Sequence, residues 1–246
     1  MESPSEQPVL YLLPSLLDAE FGLDHLGEKV GKVLGEICYL VVESERESRR
    51  MIRRILPGVD LQRYQTMVLN EHHADPDYAV YLEPMVQGHS MGLLSDAGCP
   101  VLADPGSGLV LEVHRRGWKV EPVSGPSSLL LAWMGSGLNG QRMEFHGYLA
   151  VQPSERMRDL RDLEQRSQRT RQTQVWIETP YRNQALVETA LRSLKPSTLF
   201  CIACELTGGP REWIKTRSIA DWNAAWARGD FPNLHKKPCV FLLQSP

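Results

Sequence analysis

Short apolar, β-branched runs alternate with stretches of helical periodicity along most of this chain, and that alternation restricts the fold more than any other feature. Val9–Leu13 is an apolar run stopped by Pro14, and Leu23, Leu26, Val30, Val33 and Leu34 then recur at helical spacing. The cycle repeats with a strand at residues 37–42 and a helix at 45–56, which Pro57-Gly58 closes. Residues 66–69, 91–94 and 118–123 read as further strands, and residues 78–87, 109–114 and 127–134 as helices. Strands that alternate with helices predict parallel βαβ units with right-handed crossovers, an α/β fold.

Residues 135–140 hold three glycines and read as a linker, which divides the chain into an N-terminal domain, 1–137, and a C-terminal domain, 138–246. Beyond it, strands are expected at 143–149, 174–178, 198–205, 212–215 and 239–243, with helices at 154–167, 183–194 and 219–226. The closer spacing of strands there gives hairpin character and predicts a mixed sheet.

A length of 246 residues is enough for one large core or two modest ones. No stretch approaches the roughly 18 uninterrupted apolar residues of a membrane span. The first eight residues are polar, with Glu2 and Glu6, and lack the pattern of a signal peptide, so a cytoplasmic location is expected. Five scattered cysteines suggest no disulfide framework. Cys201 and Cys204 form a C-x-x-C, but on a strand they point to opposite faces; they read as buried structural cysteines, and no metal is expected.

The net charge of −3 argues against a protein that coats nucleic acid without selectivity. Two local basic patches leave room for an enzyme that visits RNA. Arg46, Arg49, Arg50, Arg53 and Arg54 form the less neutralised one and are the first place to look for RNA contacts. Arg156, Arg158, Arg161, Arg166, Arg169 and Arg171 are interleaved with Asp159, Asp162 and Glu164, which reads as a solvated, ion-paired helix face.

The run from Leu94 to Gly108, dense in Gly, Pro and Asp, joins a strand to a helix. Small residues there let a ligand approach main-chain N–H and C=O groups; a tight turn with no ligand is the plain alternative. Glu43-Ser44-Glu45-Arg46 closes the second strand, where Ser44 can also cap the next helix. Asn70-Glu71-His72-His73 follows the third strand, and Ser124-Gly125-Pro126-Ser127-Ser128 opens a helix. In the second half, Arg182 stands in a strand-to-helix turn, where it can bind a phosphate or pair with Glu205.

Ser95-Asp96-Ala97-Gly98-Cys99-Pro100 followed by Asp104-Pro105-Gly106 resembles the signature of the tetrapyrrole methylase superfamily, the class III S-adenosylmethionine (SAM) methyltransferases. The nearest branch is that of ribosomal RNA small subunit methyltransferase I, with Cys99 and Ala103 at its variable Thr and Ser places. Glu43 and Arg46 match that branch's Ala-Glu-Asp-Thr-Arg, and Glu71 and His72 its Glu-His segment. Residues 124–128 are similar to its Pro-Gly-Pro-Ser-Ala. Glu178-Thr179-Pro180-Tyr181-Arg182 is similar to its Glu-Ser-Pro-His-Arg, and residues 203–207 to its Arg-Glu-Leu-Thr-Lys segment.

The resemblance implies two α/β domains, a mostly parallel sheet in the first and a mixed sheet in the second, with SAM in a cleft between them and usually a homodimer. It implies cofactor contacts at Pro14, Ser95, Asp96, Ala97, Gly98, Cys99, Ser127 and Ser128, and substrate contacts at Glu43, Arg46 and Arg182. Glu71 or His72 would take the acceptor's proton. Methyl transfer to an RNA ribose 2′-hydroxyl is the implied activity. The chain departs from the branch at its first loop, Leu12-Leu13-Pro14-Ser15-Leu16-Leu17, where the branch has Gly-Thr-Pro-Ile-Gly-Asn. That departure leaves open a small tetrapyrrole-like or other non-RNA substrate, or a SAM-binding protein without catalysis.

Overall fold

The computed structural model describes residues 7–70 and 76–246. It divides into two compact units, the residues up to Ser127 and the residues from Ser128 onward.

The first unit is built on a sheet of five strands: β1 (Val9–Leu13), β2 (Tyr39–Val42), β3 (Gln65–Val68), β4 (Met91–Leu94) and β5 (Lys119–Pro122). Their order is β3-β2-β4-β1-β5, and every neighbouring pair is parallel. Helices α1 (Glu28–Glu36) and α2 (Glu45–Ile55) follow β1 and β2. The short α3 (Tyr78–Tyr81) and α4 (Glu83–Val86) precede β4, and α5 (Ser107–Arg115) follows it. The helix expected over 78–87 is thus two single turns, with Pro84 at the start of the second, where its missing N–H does least harm.

Strand alternation sends side chains to two cores. Leu13, Leu40, Val42 and Leu94 pack with Val30, Val33, Leu34, Met51 and Ile52 of α1 and α2. Leu10, Val41, Met91 and Leu93 pack on the other face with Leu82, Met85, Leu109 and Val113. Gly92 belongs to the first face, where the side chains of the neighbouring strands and of Ile37 crowd in so closely that a Cβ would lie 2.8 Å from Leu13 and 2.9 Å from Ile37 and Leu40.

The second unit starts with α6 (Ser128–Ser136), so this helix, expected to close the N-terminal domain, belongs to the later half. Its sheet has the order β6-β7-β10-β8-β9, from β6 (Met143–Tyr148), β7 (Thr173–Glu178), β8 (Leu199–Cys204), β9 (Trp213–Ser218) and β10 (Cys239–Gln244). Only β6 and β7 are parallel; β7–β10, β10–β8 and β8–β9 are antiparallel, a mixed sheet. Helices α7 (Pro153–Thr170), α8 (Asn183–Ser193) and α9 (Ile219–Ala227) cover the face carrying Trp176, Phe200, Ile202, Phe241 and Leu243. Helix α6 covers the opposite face, its Gly135 lying against Ile214 so closely that a Cβ would stand 2.3 Å from the Ile214 Cδ1. No helix among the described residues is long and apolar enough to cross a membrane.

Candidate functional site

Because β1, β4 and β5 are parallel neighbours in register, with Leu13 opposite Leu94 and Leu12 opposite Pro122, their loops leave the sheet from one edge. The connection after β1 crosses to the α1 face and the one after β4 to the α5 face. Such a reversal opens a crevice beyond the carboxyl ends of the strands, where open α/β sheets bind ligands.

The loops are stitched together there. Ser15 N–H donates to the Gly98 carbonyl at 2.7 Å, and the buried Ser15 hydroxyl donates to the Ser95 carbonyl. The Cys99 thiol donates to the Pro126 carbonyl at 3.4 Å, so Cys99 ties the β4 loop to the β5 loop. Gly98 has φ +75°, and a Cβ on it would lie 3.1 Å from Leu17. A Cβ on Gly125 would lie 2.3 Å from Pro14, so this glycine makes room for the chain itself. Pro14, Ser15, residues 95–99 and residues 125–127 therefore form one cluster, while Asp96 and Ala97 face solvent. Ser127 is buried and directly precedes α6, whose first residue is Ser128.

Three carboxylates converge beside it. The Asp96 N–H donates to Glu43 Oε2 at 3.3 Å, and the Asp96 carboxylate accepts from the Ser44 N–H. Ser44 caps α2 by accepting from the Glu47 N–H at 3.4 Å, so its capping role is real. Partial desolvation of its carboxyl and then the nearby Glu43 push Asp96 up to about 6. The same two causes, in the same order, push Asp104 up to about 7, against a hydrogen bond from Ser95. Asp104 Oδ2 is buried with no partner among the described residues. Val101 and Ala103, between these acids, hold φ of +75° and +63°, a conformation that costs a β-branched residue most. Asp104, within the quoted Asp-Pro-Gly, was not among the expected site residues; its place in that motif was the available signal.

The arginines of α2 border this group. Arg46, Arg49, Arg50, Arg53 and Arg54 line an open depression, and Arg50 and Arg54 also line the adjoining hollow formed with Leu16, Leu17, Asp96 and Ala97. Arg54 is a clamp on the β1 loop: its guanidinium donates to the main-chain carbonyls of Asp18, Ala19 and Glu20. Arg46 projects into solvent, its side chain 91% exposed and 3.8 Å from Glu47.

In the second unit Arg182 pairs with the fully buried Glu178 carboxylate and also donates to Thr179 at 3.1 Å. Its expected partner Glu205 is instead held by Lys237 at 2.7 Å and Arg211 at 3.7 Å. Arg156 corrects the reading of the α7 patch: it is 4% exposed and donates to the Thr189 hydroxyl and the Val151 carbonyl. Cys201, Cys204 and Cys239 are buried, and no group of three or more His, Cys, Asp or Glu side chains among the described residues is placed to hold a metal. Glu71 and His72 lie outside the described residues.

No family model matches the chain. A ribosomal RNA small subunit methyltransferase I from Leptospira biflexa is 30% identical over 210 residues, 83% of this chain and 83% of that protein. The chain belongs to this methyltransferase family. The family's Vibrio cholerae member is 26% identical over 204 residues, 83% of this chain and 67% of its own length. Among solved structures, the fold is shared with a cobalt precorrin-4 methyltransferase (TM-score 0.60, 14% identity, 99% of this chain and 98% of that one). It is shared too with the uroporphyrin-III C-methyltransferase of Thermus thermophilus bound to S-adenosylhomocysteine (TM-score 0.52, 18% identity, 96% of each chain).

Proposed function

We propose that this chain transfers a methyl group from SAM to a ribose 2′-hydroxyl of small-subunit ribosomal RNA. The observation that carries the reading is the family's carboxylate-and-glycine loop after β4, set directly beside the arginines of α2. The donor set of SAM, an α-ammonium, ribose hydroxyls and an exocyclic amine, suits a buried carboxylate oxygen without a partner and a turn with exposed main chain. Asp104 and the solvent-facing turn at Asp96 and Ala97 provide these, and so fit the cofactor. Pro14, Cys99, Ser127 and Ser128 complete the proposed cofactor contacts.

Bound SAM supplies an electrophilic methyl group on a sulfonium sulfur. The task left to the chain is to hold the acceptor oxygen in line and keep water out. Arg46, Arg49, Arg50 and Arg53 hold phosphates and so set the position of the strand, a role for which long, exposed guanidinium groups suffice. Glu43 positions the Asp96 main chain at the edge of the site. Arg182 serves as a substrate contact through its outer edge, its inner edge being used by Glu178. The acceptor's proton passes to Glu71 or His72, which follow β3 in the chain. A ribosomal RNA substrate supports a cytoplasmic location, and exposed Leu130 and Met134 on α6, 49% and 79% accessible, support action as a homodimer.

Isothermal titration with SAM and with S-adenosylhomocysteine tests the cofactor reading. Micromolar binding of either ligand is expected. No heat from either would mean that Leu16 and Leu17 in the first loop have closed the site.

A further inference from the structure

Tyr181, in the second unit, is 71% exposed and stands in the motif of Glu178 and Arg182. Its surroundings are fixed. Lys236 N–H donates to the Pro180 carbonyl at 3.1 Å, which joins the turn before β10 to the turn after β7. The wholly buried Asn183 side chain donates to the carbonyls of Leu234 at 3.3 Å and Lys237 at 2.7 Å from beneath. Lys236 is held at φ +60°, a left-handed conformation uncommon outside glycine. Its ammonium lies 5.8 Å from the Tyr181 ring centroid, and the His235 ring meets the same ring edge-on at 6.2 Å and 79°.

An aromatic ring kept in solvent by a hydrogen-bonded scaffold, with an ammonium over one face, has the makings of a stacking platform for an unpaired base. Single-stranded RNA is gripped by aromatic faces that take bases and by cations that take the adjoining phosphates. The local charge agrees. Glu178 and Glu205 are each neutralised, by Arg182 and by Lys237 with Arg211, and Lys236 has no carboxylate partner among the described residues. The ammonium takes one side of the ring and leaves the rest of it accessible.

We propose that Tyr181 and Lys236 form a second RNA contact, in which one unpaired base of the substrate stacks on Tyr181 and its phosphate pairs with Lys236. This rests on the RNA reading above and extends it to the second unit. An exposed ring needs no such neighbours for folding, so its loss affects binding far more than stability.

The test is the affinity of a single-stranded RNA dodecamer, 5′-labelled and of mixed sequence, for the full chain across a salt series. Tyr181→Ala is expected to weaken binding roughly tenfold or more at every salt concentration, with the slope against salt unchanged. Tyr181→Trp is expected to restore it, and Lys236→Ala to reduce the slope by about one. Thermal melting of each variant reports that the fold is intact. Tyr181→Ala binding as tightly as the unaltered chain would overturn the stacking site and leave the RNA reading standing. Failure of the unaltered chain to bind RNA at all would overturn both.

Discussion

Ser15 and Gly98 meet main chain to main chain, the Ser15 N–H donating to the Gly98 carbonyl at 2.7 Å, and this contact clasps the loop after β1 onto the loop after β4. The clasp depends on Gly98 holding φ +75° under Leu17. Gly98→Ala adds a left-handed alanine and a 3.1 Å contact, and is expected to cost about 1–2 kcal/mol. A lower thermal midpoint and weaker SAM binding, measured on the same variant, check it.

Asp104 gives the fold a pH dependence of definite sign. Its carboxyl is raised from 3.8 to about 7, so between those values the folded chain keeps a proton that the unfolded chain has lost. The contribution to stability is therefore most favourable below about pH 4 and declines as pH rises toward and through 7. Asp96, raised to about 6, acts in the same direction. Asp104→Asn is expected to raise stability at pH 8 by about 1–2 kcal/mol, allowing for solvent screening, and to flatten the profile. Urea midpoints at pH 5 and pH 8 report both effects.

The arginines of α2 separate into two kinds. Arg46→Ala with Arg50→Ala removes two exposed cations and is expected to lower the salt slope of RNA binding by about two, with little change in melting. Arg54→Ala removes the donor to the carbonyls of residues 18–20 and is expected to lower the melting temperature instead. Melting curves and a salt titration on the same two proteins distinguish the roles.

Arg182→Ala leaves the Glu178 carboxylate, whose side chain is wholly buried, without its cation. Breaking a buried pair from one side costs about 3–5 kcal/mol, and the part-exposed Arg182 places this case at the low end. Urea unfolding of the variant reads the loss, and Glu178→Gln in the same background is expected to recover part of it.

Much of the fold was legible because its strands are short apolar runs ended by Pro, Gly or charge, and its helices carry clean periodicity. The Val9–Leu13 and Met91–Leu94 strands coincide with their apolar runs. The division between units was harder to read. The glycines of residues 135–140 look like a linker, yet α6, before them, packs on β8–β10 through Gly135 and Ser136. An all-apolar helix does not reveal which sheet it covers.

At the site, the motif order located the loop after β4, but pairings set by register could not be read. Cys204 faces Cys239 across β8 and β10, and Glu205 takes Lys237 in place of Arg182, because residues far apart in sequence become neighbours only when strands pair. The burial of Arg156 is hidden in the same way, since an arginine among acids on a long helix has the pattern of a surface. Asp104 stood in plain view; its perturbation comes first from burial and then from Glu43, which reaches it only when β2 and β4 lie side by side.

The most direct test of the account is methyl transfer itself. The chain is incubated with methyl-labelled SAM and small ribosomal subunits from a strain lacking its gene, and the extracted RNA is hydrolysed in alkali. A 2′-O-methyl group blocks cleavage at its own nucleotide, so the account predicts label in an alkali-resistant dinucleotide. Label in a mononucleotide, or none in RNA despite SAM binding, would contradict it.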